Sequence, residues 1–251
     1  MIATARVGLS QSLIYQRGMN DALDLPVALQ AYHALEAMIV TLTLEPGSTT
    51  TESILLERVG LGRTPVREAI QRLAWEGFLI VRPRTGLLVA PLDAGGWCKV
   101  LDARQGVEIV LARSAALSIT PQARRPFLQA SEAMYAAAAA NDDKAFLVAD
   151  KAWDEALAFA ADNPFAVRVA APLQTHSRRF WYRFRRGSGL AQAANRHIAV
   201  IEAVMRGDAD VAAAAMERLM AMLRKDAEAA MPGVSVSSEN EAARPLSAAA
   251  V

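Results

Sequence analysis

Between Val27 and Leu44 the apolar residues Tyr32, Leu35, Ile39 and Leu42 return at the spacing of one helix face, and Glu-Pro-Gly at 45–47 ends the run. Thr51 is placed to cap a short second helix over 52–58, which turns Leu55 and Leu56 inward and stops at Gly60. A third helix opens at Thr64 with Pro65 in its first turn. It sets Val66, Ala69, Ile70 and Leu73 on one face and Thr64, Arg67, Glu68 and Gln71 on the other, and it ends near Gly77. The period then changes. FLIVR (78–82) and LLVAP (87–91) are β-prone runs joined by PRTG, which predicts a two-stranded hairpin with Arg82 and Arg84 near its tip. Three helices and a hairpin make a winged helix-turn-helix over residues 25–92.

LDAGG (92–96) breaks the pattern and predicts a linker at 93–98. From there the chain is helical to about residue 231, with stops at Thr-Pro (120–121), Asn-Asp (141–142), Asn-Pro (163–164), Gly-Ser-Gly (187–189) and Gly-Asp (207–208). Five breaks delimit six helices, an all-α bundle over 99–231. The fold class is therefore mainly α. Residues 1–24 carry no sustained period and read as a flexible arm, and the small, polar, Ala-rich stretch 232–251 reads as a disordered tail.

Composition narrows this further. The chain has 251 residues, 53% of them hydrophobic, enough for one or two domains with substantial cores. The single cysteine, Cys98, leaves neither an intrachain disulfide nor a Cys-based zinc site, and no apolar run approaches the length of a membrane span. A cytoplasmic protein without membrane contact is expected. The net charge of +1 is uninformative about partners, but its distribution is not. Residues 25–57 carry Glu36, Glu45, Glu52 and Glu57 and no Lys or Arg, whereas residues 58–86 carry six arginines against Glu68 and Glu76. The positive charge gathers on the third helix and the hairpin.

That placement contradicts helix electrostatics. The N-terminal end of a helix carries partial positive charge and disfavours cations, yet Arg63 and Arg67 flank it, and position 67 is where a capping box would put Glu. Either these arginines are solvated surface charge or an external anion offsets them, and the charge segregation with the hairpin favours double-stranded DNA. With the third helix leading into a major groove, Arg63 and Arg67 meet phosphates and guanine edges, Thr64 bonds a phosphate or base, and Gln71 follows one turn on. Arg82, Arg84 and the backbone at Gly86 would touch the flanking phosphates or minor groove.

The run LEPG…LLERVGLGRTPVREAIQRLAWEGFLIVRPRTGLLV resembles the DNA-binding domain of the GntR family of bacterial transcription regulators, RTPVREAIQRL being its most specific part. DARQGVEIVLARSAA, DKAWDEALAFAADNP and NRHIAVIEAVMRGDADVAAAAMERLM look like helices of the FCD-type ligand-binding domain of the FadR subfamily, so the resemblance spans about 27–230. It implies operator contacts for Arg63, Thr64 and Arg67 and a wing contact for Gly86. Gly62 departs from it, standing where many members have Ser, and Ser53 stands where some have Arg. The implied function is a ligand-responsive regulator, more often a repressor, acting as a homodimer on a near-palindromic operator.

In the second domain Asp150 and Asp154 are spaced i, i+4 and share a helix face. In the resembling subfamily an Asp and three His commonly hold a divalent metal, with a carboxylate effector against the metal and a nearby Arg. Asp150 and His197 match two of those ligands, Asp154 occupies the position of the first His, and Leu219 that of the last. The resemblance thus offers Asp150, Asp154 and His197 as an incomplete metal site, and otherwise a hydrogen-bonded polar cluster. Arg104 matches the arginine expected to take the carboxylate of a small organic acid effector; its structural alternative is an ion pair with Asp102 or Glu108. His176 reads as a substitute ligand or a surface residue. HSRRFWYRFRRG (176–187) reads as a helix with Phe180 and Phe184 inward and its arginines solvated, or else with Arg179 or Arg183 lining a cavity. Trp75, Trp97, Trp153 and Trp181 read as packing residues. The rival class is a metal-dependent hydrolase or lyase built on Asp150, Asp154 and His197, for which the chain, with three histidines in all, offers no convincing nucleophile or oxyanion site.

Overall fold

The computed structural model describes residues 25–185 and 189–231; the arm expected at 1–24 and the tail at 232–251 lie outside them. The chain begins with helix α1 (Val27–Val40), strand β1 (Thr49–Thr50), α2 (Glu52–Val59), α3 (Arg63–Trp75) and strands β2 (Leu79–Arg82) and β3 (Gly86–Val89). α1 ends four residues before Leu44, where Leu42 takes a left-handed backbone. α2 is capped by the Thr51 hydroxyl, which accepts from the Ile54 amide, and is closed by a left-handed Gly60. Leu35, Ile39, Leu55, Val66, Leu73, Phe78 and Val89 form the core of this unit.

Two expectations need correction here. α3 begins at Arg63, with Gly62 as its cap position, rather than at Thr64. Thr64 and Pro65 sit within the first turn, where amides have no intrahelical partner and a proline costs no hydrogen bond. The sheet has three strands in the order β1-β3-β2, because Thr49 and Thr50 pair antiparallel with Leu88 and Leu87. A two-residue strand is too short to leave a periodic signal. Its presence also supplies an internal reason for Gly86, which pairs with Arg82 at a φ of +96°. A Cβ at Gly86 would lie 2.6 Å from the Thr50 carbonyl oxygen. Gly86→Ala is therefore expected to destabilise the wing by about 1–3 kcal/mol, measured by urea unfolding; an unchanged midpoint would mean that β1 yields freely.

Helices α4 (Ala94–Ser118), α5 (Pro121–Ala140), α6 (Asp143–Ala161), α7 (Pro164–Phe184), α8 (Leu190–Arg206) and α9 (Ala209–Ala229) follow. They enclose a second core that includes Trp97, Phe127, Met134, Trp153, Val200 and Met216. The linker expected at 93–98 is largely helical: Asp93 caps α4 by accepting from the Gly96 amide, and the helix starts at Ala94. Of the two glycines read as a chain break, Gly96 serves packing instead. A Cβ at Gly96 would lie 3.0 Å from the Phe180 ring, so its absence lets α7 approach α4 closely. The caps of the later helices are Thr120, Asp142, Asn163 and Asp208. Trp97, Trp153 and Trp181 are buried as expected, but Trp75, at the end of α3, is 93% exposed.

Candidate nucleic-acid interface and buried polar centre

The N-terminal turn of α3 projects Arg63, Thr64 and Arg67 into solvent, and Gln71, Arg82 and Arg84 are exposed beside it. Thr51 caps α2 so that Glu52 begins that helix, and Glu52 accepts from Arg67 at 2.8 and 3.2 Å. Hydrogen bonding to Glu52 raises Arg67 above its ordinary value, so its charge is permanent. Glu52 thus offsets the charge of Arg67, while Arg63 stands exposed at the start of α3. The left-handed backbone at Arg84 lets β2 reverse into β3 and sets that arginine at the hairpin tip.

The second cluster lies inside the bundle. Asp150 and Asp154 come from α6, Arg104 and Glu108 from α4, Gln174 and Arg178 from α7 and His197 from α8, each at i, i+4 from a partner or facing it across the core. Arg104 donates to Glu108 at 2.6 Å and lies 3.7 Å from Asp154. Gln174 donates to the same Glu108 oxygen at 3.0 Å. Asp102, the other partner considered for Arg104, faces outward and pairs with Arg224. Arg178 Nη1 makes a short hydrogen bond to Asp154 and stands 3.5 Å from Asp150. His197 Nε2 lies 2.9 Å from Asp150 Oδ1, and its Nδ1 lies 2.7 Å from the Ala193 carbonyl.

Both ring nitrogens of His197 face acceptors, a carbonyl and a carboxylate, an arrangement that favours a proton on each over a lone pair for a metal. The place between the two carboxylates is held by the Arg178 guanidinium, and Leu219, fully buried, donates nothing. Among the described residues no group of three or more His, Cys, Asp or Glu is arranged to hold a metal ion. The residues do not fit the divalent metal that the resemblance implied. The remaining cavity, lined by Arg104, Asp150, Arg178, Trp181 and His197 among others, has a volume of about 20 Å³, which admits one water.

Electrostatics in this closed site follow from burial against pairing. Burial would raise Asp150, but the His197 hydrogen bond and charge, then Arg178 and Arg104, overcome it and hold the carboxyl at about 2. Burial and then the Asp150 charge push Asp154 up to about 7, against both arginines. For His197 burial opposes the charged ring, and the hydrogen bond to Asp150 outweighs it, so the net shift is upward. Glu36, on α1, is also driven down: burial opposes the charge, but His33, Lys151 and Arg178 together prevail.

The two signs of shift act on opposite limbs of a stability profile. Asp150 and Glu36 contribute fully above about pH 5 and lose that contribution as pH falls toward their folded values. Asp154 contributes fully only below about pH 4 and loses that contribution as pH rises toward 7, and His197, also shifted upward, contributes fully below its ordinary value and loses it as pH rises beyond. Thermal unfolding is expected to peak between about pH 4 and pH 5, where the gain from Asp150 and Glu36 is nearly complete and the loss from Asp154 has only begun, with His197→Gln flattening the alkaline limb. A midpoint that climbs steadily to about pH 8 would be incompatible with a charged His197.

Sequence reasoning placed Arg104, Asp150, Asp154 and His197 together, and in the fold they meet. It missed Arg178, expected with its neighbours to remain solvated; Arg178 is 7% and Arg179 1% exposed, while Arg183 stays outside. Arg179 does not line the cavity but donates to the Ala90 carbonyl at 2.6 Å. His176 is neither ligand nor surface residue: its Nε2 donates to the Glu76 carbonyl at 2.8 Å and its ring stacks on Phe78 at 3.9 Å.

Comparison with known proteins matches the two units separately. Residues 27–89 match the model of bacterial regulatory proteins of the gntR family, and residues 99–222 match the FCD domain. An uncharacterized HTH-type transcriptional regulator of Agrobacterium vitis is 29% identical over 130 residues, 51% of this chain and 76% of that protein. The HTH-type transcriptional repressor RspR of Escherichia coli K12 is 35% identical over 95 residues, 38% of this chain and 42% of its own length. Among solved structures, E. coli McbR/YncC aligns with a TM-score of 0.69 at 19% identity over 80% of this chain and 98% of that one. A GntR regulator from Rhodococcus sp. RHA1 aligns with a TM-score of 0.65 at 16% identity, over 80% of this chain and 97% of that one.

Proposed function

Because the chain belongs to the GntR family of bacterial transcriptional regulators, with an FCD domain after its DNA-binding domain, we propose that it is a repressor that binds a near-palindromic operator as a homodimer and answers to a small organic acid. Its domains are those of regulators, not of enzymes. No described helix is long and apolar enough to cross a membrane.

The observation that carries the DNA reading is the exposure of Arg63, Thr64 and Arg67 on the first turn of α3, flanked by the exposed wing arginines Arg82 and Arg84. α3 lies in the major groove; Arg63 and Arg67 fork onto guanine or phosphate, Thr64 and Gln71 bond along the same edge, and Arg82, Arg84 and the Gly86 backbone follow the flanking strand. Residues 25–92 form the reading head and the bundle from Ala94 to Met231 carries the effector. There the cavity, which admits one water as it stands, opens so that Arg104, with Asp150, Asp154 and His197 around it, receives the effector carboxylate in exchange for Asp154, whose ionised form burial already disfavours.

The test is fluorescence anisotropy with duplexes from the region upstream of the protein's own gene. Expected are sequence-selective binding that weakens steeply with salt and a loss of affinity with one member of a panel of small carboxylic acids. Equal, weak and salt-insensitive binding to every duplex would overturn the DNA reading. Binding that no acid alters, with no acid raising the melting temperature, would overturn the effector reading.

A further inference from the structure

α7 bears on both sites at once. Across 174–181 its side chains divide between two neighbours. Gln174 and Trp181 face the bundle, the first on Glu108 and the second lining the central cavity. Thr175, His176 and Arg179 face the DNA-binding unit, reaching Glu36, the Glu76 carbonyl and the Ala90 carbonyl. Arg178 stands on the boundary, one turn from both Gln174 and Thr175. Its Nη1 holds Asp154 and neighbours Asp150; its Nη2 donates to the Thr175 hydroxyl at 2.9 Å and lies 3.8 Å from Glu36.

Glu36 is the receiving end. It is buried on α1, the helix that packs beneath α3, and it accepts from Thr175 at 2.6 Å and from Lys151 at 2.5 Å, with His33 at 3.1 Å. Lys151 directly follows Asp150, so the bundle approaches Glu36 from two helices. One turn before Glu36 on α1, Tyr32 donates to Glu76 at 2.8 Å and lies 3.8 Å beneath the Arg72 guanidinium, at the far end of α3. Polar contacts therefore run from the two aspartates, through one guanidinium, to Glu36, and one turn of α1 separates Glu36 from the Tyr32 contacts to the far end of the helix expected to read DNA.

We infer that Arg178 is a positioning residue that fixes the DNA-binding unit against the bundle, sharing one guanidinium between Asp154 and Asp150 on one side and Thr175 and Glu36 on the other. A planar fork suits this task and a lysine does not, because two partners in different directions need separate N–H groups. Any change that draws the guanidinium toward the bundle carboxylates weakens its hold on Glu36. As a route for effector control this rests on the regulator reading above; the positioning role itself does not require an effector.

The test uses the full-length chain, with spin labels at Trp75→Cys and Leu117→Cys, both exposed and on separate units, diluted with unlabelled chain. The wild-type background is expected to give one narrow distance distribution. Arg178→Lys is expected to add a second, longer population, and Thr175→Val, which leaves the bundle carboxylates and their arginines in place, to do so to a smaller extent. Combining Glu36→Gln with Arg178→Lys should add little beyond either alone, since both break one contact. An unchanged distribution in Thr175→Val and Glu36→Gln, with both proteins folded, overturns the inference and leaves Arg178 a residue of the bundle core only. Failure of the protein to select any DNA would sink the proposed function and leave these distances fully readable.

Discussion

Arg178→Met is expected to lower the unfolding free energy by about 3–5 kcal/mol, because it strands Asp154, Asp150 and Glu36, all buried, beside an apolar side chain. The cost comes from what is left behind rather than from the ion pair itself. A buried carboxylate without its partner must be desolvated unpaired or take up a proton. Arg104→Met is expected to cost less, since Glu108 keeps Gln174 as a donor. The exposed Arg113–Asp210 pair is the control, and its removal should scarcely be felt. Urea unfolding at about pH 7 measures all three. An Arg178→Met protein within error of wild type would mean that water, not Arg178, solvates the aspartates.

Arg67→Ala is expected to weaken operator binding by roughly tenfold to a hundredfold, the range for losing a base-directed arginine, while leaving unfolding unchanged because the side chain is exposed. Arg67 is not idle in the free protein. Glu52 holds it with two hydrogen bonds, so DNA must draw it away from a carboxylate. Glu52→Gln is therefore expected to raise affinity for all duplexes and to relax selectivity, since a freed arginine meets any phosphate. Comparing specific and non-specific duplexes across a salt series separates the two outcomes. If Arg67→Ala binds its operator as the wild type does, α3 is not the reading helix.

Much of this was legible in the chain because it is local chemistry. Thr51 before a short apolar run, Gly60 after it, Asn163 before Pro164 and Asp208 after Gly207 each mark a helix end by what their own backbone and side chain do within a few residues. The same local rules misread Gly95 and Gly96 as a break. Nothing adjacent reveals that the missing Cβ of Gly96 accommodates Phe180 from a helix more than eighty residues later. They also missed β1, whose two residues acquire strand geometry only from β3.

The charged residues divide in the same way. Arginines at the tip of α3 point to an external polyanion because a helix end is itself electropositive, an argument complete within one turn. In HSRRFWYRFRRG, five arginines follow at similar spacing, and no local property tells which of them turns inward. Arg178 does so because Asp154 waits 24 positions back and Glu36, reached through Thr175, lies on α1, 139 positions before that hydroxyl. The amino-acid order alone determined the helices, their caps and the exposed basic turn. Only the packing of distant helices determined that a guanidinium and an imidazole held between two acceptors occupy the centre where a metal was expected, because burial and pairing are properties of neighbours that the chain brings together last.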